Sequence, residues 1–234
     1  GNEIEDRIYN AQPATTVMTR AIFDSLVQYD PIERKFQPQL AKSWKQLGPD
    51  TIEFSLRDDI KFHDGEPLDA DDVVYIINYI LDPKVTFRGK ETGYGWIKEI
   101  QKIDKYTIRM VATGPLAPML SRINFSVYPE HIHKQNPKDF GKTPVGTGPY
   151  RVTKVDRNDG LAMVKYDGYK MAGPGRPAAK IGKIEFLPAM DAQTQVARMI
   201  RGEQDMMTGV TADQANNLAE NPLFRVTVED TVAF

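Results

Sequence analysis

The stretch from Leu40 to Val74 constrains the fold more than any other part of this 234-residue chain. Thr51 to Arg57 alternates strictly: Ile52, Phe54 and Leu56 point one way, and Thr51, Glu53, Ser55 and Arg57 the other. That period of two predicts a half-buried strand. Ile60-Lys-Phe62 carries the chain on in extended form, and His63-Asp-Gly-Glu-Pro67 reads as a turn, with Gly65 supplying a permissive backbone. Asp69 then stands where a helix cap belongs, and Asp71 and Asp72 favour the positive end of the helix dipole. Val73, Ile76, Ile77 and Ile80 fall on one face of that helix, and Pro83 stops it. A strand, a turn and an amphipathic helix in so few residues demand a layered α/β (α+β) fold.

The remaining punctuation agrees with an α+β chain without repeats. A helix capped by Thr15 or Thr16 should run to about Val27 and bury Val17, Ala21, Ile22 and Leu26. Lys98–Asp104 and Tyr106–Val111 read as a hairpin across Asp104-Lys105. Pro149–Val155 and Leu161–Tyr166 read as a second, across Asn158-Asp-Gly160. Pro115 to Pro118 starts a short helix, Phe125–Tyr128 is extended, and a surface helix begins after Pro129. Strands at Lys183–Leu187, Asp205–Met207 and Phe224–Val228, with a helix over Gln193–Arg201, complete the expectation.

In order, Leu40-Ala-Lys-Ser-Trp44, the strand ending Leu56-Arg57, Lys61-Phe-His-Asp-Gly-Glu-Pro67 and the Asp72-Val-Val helix resemble the peptide, nickel and opine class of extracytoplasmic solute-binding proteins that serve ABC importers. Val145-Gly-Thr-Gly-Pro-Tyr150, Asp167-Gly-Tyr169 with Gly173–Pro177, and Ile184–Pro188 followed by Arg198, Gly202 and Asp205 extend the resemblance in the expected order. It implies the N-terminal lobe of a two-lobed periplasmic-binding-protein fold. Residues 1–30 and 145–234 would form the main lobe and 31–144 a smaller inserted domain, the chain being truncated near the hinge with the C-terminal lobe absent.

What the resemblance implies for function is capture of a small peptide or similar solute by hinge closure, with a membrane permease as partner and a periplasmic (extracytoplasmic) location. Nickel chelates, opines and oligosaccharides are alternatives on the same scaffold, and a ligand-sensing domain of a transcription regulator is another. The expected ligand-facing positions are Tyr94 and Trp96 in the Gly-rich aromatic run Phe87–Trp96, Asn10 and Gln12 after the first strand, and Thr208, Gly209 and Val210. A main-chain contact at the last three suits a peptide, because it pairs backbone with backbone. For Trp96 the competing reading is a ring that anchors the loop in the small domain. An uncovered cleft face would also favour self-association of a fragment.

Other chemistry fares worse. The net charge of −2, with 30 basic and 32 acidic residues, supplies no electrostatic basis for nucleic-acid binding. No apolar run reaches the roughly 18–20 residues of a membrane helix. Without cysteine there are no disulfides or thiolate metal sites. His131 and His133 stand too few together for zinc. The Asp69–Asp72 cluster lacks the spacing of a calcium loop and is explained by helix capping. Gly146-Thr-Gly148 opens a strand rather than a helix, which disfavours a phosphate cradle. His63 beside Asp64 sits in a turn with no nucleophile. Met199, Met206 and Met207 read as core. The expectation is therefore no catalytic residue, no metal and no cofactor.

Overall fold

The computed structural model describes residues 13–87, 89–116, 118–156, 160–173, 176–188 and 190–227, and the chain divides after Leu187 into two compact units. The first begins with α1 (Pro13–Ile22), followed by the antiparallel pair β1 (Val27–Asp30) and β2 (Lys35–Pro38). Then come β3 (Ala41–Gly48), β4 (Thr51–Leu56), α2 (Ala70–Leu81), the short α3 (Lys90–Tyr94), β5 (Ile97–Asp104) and β6 (Thr107–Ala112). A 3₁₀ turn at Met119–Arg122, the one-turn helix α4 (Glu130–His133) and a second 3₁₀ turn at Pro137–Lys142 lead to β7 (Tyr150–Asp156), β8 (Gly160–Lys165) and β9 (Lys183–Phe186).

The alternation of Thr51–Leu56 becomes the middle of a four-stranded antiparallel sheet in the order β3-β4-β6-β5. Ile52 lies opposite Met110 and Phe54 opposite Ile108, and all four are buried. Across this face lies α2, against β5 and β6. Its start is built as expected. Asp69 accepts the Asp71 N–H at 2.8 Å, and Asp72 reaches back to accept the Asp69 N–H at 3.0 Å, a reciprocal cap. Val73, Ile76, Ile77 and Ile80 are all buried, and the helix ends at Leu81, one residue before the Asp82 cap that precedes Pro83. Both predicted hairpins are present, the second joined by β9 into a three-stranded antiparallel sheet. Its turn residues 157–159 lie outside the described residues.

One imidazole fastens the turn after β4 to the strand that begins at Tyr150. His63 accepts the Gly146 N–H on Nδ1 at 3.3 Å and donates from Nε2 to the Gly148 carbonyl at 2.9 Å, so the ring is the neutral Nε2–H tautomer. Burial lowers its pKa below the ordinary histidine value, in keeping with that form. The two glycines are needed because the chain runs against the end of α1. A Cβ at Gly146 would lie 2.1 Å from the Ile22 carbonyl oxygen, and one at Gly148 would lie 2.5 Å from that of Ala21. Gly146→Ala is therefore expected to destabilise by about 1–3 kcal/mol, as overpacking does. A urea midpoint unchanged from wild type would contradict this contact.

Several expectations are corrected. The first helix already includes Thr15 and Thr16 and stops at Ile22, well before Val27. Val17 is 55% exposed rather than core, Ala21 is half-buried, and Leu26 is buried from the loop beyond the helix. The chain leaves the helix there because Asp24 is drawn inward. Phe125, Val127 and Tyr128 are buried, but among the described residues the segment joins no strand ladder. His133, expected at the surface, is 1% exposed beneath four aromatic rings.

In the second unit the predicted helix is α5 (Ala192–Ile200), capped by Asp191, and a further helix, α6 (Ala212–Ala219), follows. Asp205–Met207 is not a strand, having no ladder partner among the described residues, and Met206 is 68% exposed rather than core. Phe224–Thr227 is likewise irregular, and Val228 lies outside the described residues.

Candidate functional site

The aromatic loop is a stapled turn. After α2 ends, Lys90 Nζ donates to the carbonyls of Asp82 at 2.5 Å and Val85 at 2.7 Å, drawing α3 onto the helix terminus. An ammonium is well placed near the negative end of a helix. The Tyr94 ring stacks edge-on to Phe87 at 5.8 Å between centroids, and burial pushes its hydroxyl up to about 12. Tyr94 is half-buried, with its ring against the core. Trp96 is 9% exposed and belongs to the core, its indole N–H donating to the Gly93 carbonyl at 2.9 Å. Of the two sequence-singled rings, Trp96 thus sits as the anchor and Tyr94 as the more open one.

A buried charge pair, which the sequence analysis did not single out, ties five segments of the first unit together. Asp24 is fully buried at the side chain, and Arg176 Nη1 lies 2.6 Å from its Oδ1. Gln39 Nε2 donates to the same oxygen at 2.6 Å, Thr147 Oγ1 to Oδ2 at 2.8 Å, and the Tyr169 hydroxyl to Oδ1 at 3.4 Å. Arg176 also donates to the carbonyl of Arg20 in the last turn of α1, and its guanidinium lies over the Tyr169 ring at 5.4 Å. Desolvation raises the Asp24 pKa, opposed by Arg176 and then by the hydroxyl and amide donors. The cation is permanent, and a carboxylate held by four donors matches it. Arg176 belonged to the Gly173–Pro177 pattern, but nothing in sequence marked Asp24, an acid between two apolar stretches.

In the second unit, Thr208, Gly209 and Val210 form irregular chain ahead of α6, with Gly209 at φ +76° and Thr208 exposed. Thr211 caps α6 by accepting the Gln214 N–H at 3.3 Å, while Gln214 accepts the Thr211 N–H at 3.0 Å. Asn10 and Gln12 lie outside the described residues. Tyr94, Trp96 and the Asp24–Arg176 pair all belong to the first unit. Among the described residues no cluster of three or more His, Asp or Glu could hold a metal ion, and no helix is long and apolar enough to cross a membrane.

Comparison with known proteins gives this frame a family. Residues 35–233 match the bacterial extracellular solute-binding proteins, family 5. The peptide transport periplasmic protein SapA of Salmonella typhimurium is 23% identical, over 94% of this chain and 45% of its own length. Among solved structures, the periplasmic binding protein DppA of Helicobacter pylori, in complex with the peptide STSA, aligns with a TM-score of 0.77 and 25% identity, covering 93% of this chain and 46% of that one. AgaA from A. tumefaciens R10, in complex with agropinic acid, aligns with a TM-score of 0.80 and 25% identity, covering 93% and 44%. The chain thus spans less than half the length of these relatives. A match over residues 35–233, the strand-turn-helix signature in its expected place and a shared fold lead to one statement: this chain belongs to the bacterial extracellular solute-binding proteins of family 5.

Proposed function

We propose that the chain is the solute-capturing part of an extracytoplasmic binding protein that delivers short peptides to the permease of an ABC importer. The observation that carries this reading is the likeness, at a TM-score of 0.77 over 93% of the chain, to a binding protein solved around a peptide. The name of SapA, a peptide transport periplasmic protein, supports the same class and the same location. In this reading residues 1–30 and 145–234 make the main lobe, and 31–144 the inserted domain. Capture proceeds by closure of two lobes about a hinge, with the closed form read by the membrane partner. The chain binds and does not catalyse.

Tyr94 is the proposed ring contact, supported by Trp96. Thr208–Val210 offers main-chain groups to a peptide backbone, and Asn10 and Gln12 complete the set. Trp96→Ala should lower stability by about 3–5 kcal/mol, the usual range for a buried large aromatic. Tyr94→Ala should lower it much less while weakening solute binding about tenfold or more, equivalent to about 1.4 kcal/mol. Denaturation and calorimetry on the two variants separate these roles. A Tyr94 variant with unaltered affinity removes that ring from the site.

An opine is the second reading, favoured by the TM-score of 0.80 to AgaA. Native mass spectrometry of the two-lobed protein purified without added solute, then challenged with short peptides and with agropinic acid, decides between them. Adducts with peptide masses are expected. Retention of agropinic acid with no peptide adduct would overturn the peptide reading.

A further inference from the structure

The one-turn helix α4 is held onto the first unit by three titratable side chains. At its N-terminal end, Asp72 Oδ1 accepts the Glu130 N–H at 2.9 Å, so one carboxylate caps both α2 and α4. On its outer side, His131 Nε2 lies 2.7 Å from Asp64 Oδ2, joining α4 to the His63–Pro67 turn. At its C-terminal end, His133 points inward and is 1% exposed. Its Nδ1 lies 2.6 Å from the Tyr75 hydroxyl of α2.

The surroundings of His133 suit a neutral ring. Tyr75 and Tyr79 of α2 lie with centroids at 5.6 and 4.8 Å, Tyr128 at 5.2 Å, and Phe140 of the following 3₁₀ turn at 5.0 Å. The charged groups of the junction are engaged elsewhere. Asp72 is on two backbone N–H groups, Glu130 is paired with Lys134 at 2.9 Å, and Asp64 is with His131. A proton on Nδ1 would force the Tyr75 O–H to turn away and find another acceptor. It would also leave a cation among aromatic rings, out of water.

We propose that α4 is an acid-released clasp: a proton taken up by His133 is accommodated by swinging α4, with its flanking segments, away from α2 and into water.

Burial lowers the His133 pKa to about 4. The folded clasp therefore binds fewer protons than the open one, and its stability is present above the ordinary histidine value and lost as pH falls from there towards about 4. Asp72 acts with the opposite sign. Burial pushes its carboxyl up to about 6, so the cost of keeping it ionised is relieved as pH falls through that value. The test must therefore isolate the histidine.

Hydrogen exchange of the backbone amides, corrected for intrinsic rates and compared at about pH 7.5 and about pH 5, reads the clasp directly. Protection over residues 128–142 is expected to fall about threefold at the lower pH, the loss at His133 outweighing the gain at Asp72, while β4 and β6 keep theirs. In His133→Gln the fall should vanish or reverse, and in Asp72→Asn it should deepen to about tenfold or more. Should His133→Gln fail to fold, the wild-type imidazole titration followed by NMR replaces it, and the loss of protection should track that histidine. Equal protection of 128–142 at both pH values overturns the clasp. So does a loss shared equally by β4 and β6, one that persists in His133→Gln, or one that does not follow the His133 titration.

Discussion

Replacing Arg176 by alanine is expected to remove about 3–5 kcal/mol of stability, because it strands a buried carboxylate without its cation. The Asp24 side chain has no solvent exposure, so water cannot screen the loss. Gln39, Thr147 and Tyr169 would still donate to it, but three neutral dipoles do not replace a guanidinium at 2.6 Å. Asp24→Asn combined with Arg176→Met should recover most of the loss, since a neutral pair of similar volume avoids the desolvation cost of both charges. Urea denaturation of the two single variants and the double variant measures the coupling. If Arg176→Ala costs less than about 1 kcal/mol, as an exposed ion pair would, the pair does not organise the first unit.

Ile77→Ala is the second large expectation, at about 2–5 kcal/mol. Ile77 is 0% exposed on the face of α2 that lies against the four-stranded sheet, and truncation leaves a cavity that rigid strands on one side do not fill. Asp69→Ala removes the side-chain acceptor for the Asp71 and Asp72 N–H groups at the helix start, and should cost about 0.5–2 kcal/mol. The ordering is the informative result. Equal or reversed effects in chemical denaturation would mean that the cap rather than the apolar face holds the helix.

Local chemistry was readable from sequence wherever it also decides the structure. Ile52, Phe54 and Leu56 announce a strand by alternation, and Asp69 and Asp72 announce a helix start by position. Asn158-Asp-Gly160 announces a hairpin by the backbone it permits, and Gly160 stands at φ +92° beside β9. What failed was whatever depends on distant partners. Helical periodicity carried the first helix to Val27, but Gln39, Thr147 and Arg176 draw Asp24 inward and end it at Ile22. His133 looked like half of an exposed pair, and only the return of Tyr75 and Phe140 to one place makes it core. The helix α6 is readable from Thr211-x-x-Gln214, a capping box. Trp96 sits as an anchor, since an indole with its N–H on Gly93 and its rings in the core is held from both ends.

The ring of His63 has an architectural consequence. It joins residues separated by 83 and 85 positions, so the stretch from Asp64 to Val145 enters and leaves at a single imidazole. A stretch whose two ends meet behaves as a cassette, because loops within it can lengthen, shorten or be exchanged without displacing the chain on either side. Diversification of such a chain is therefore open between the two ends of that staple, at exposed positions such as Asp82–Lys84, and closed at the staple itself. Loss of the imidazole would leave the two ends joined there by the His63 N–H to Gly146 carbonyl bond at 2.9 Å.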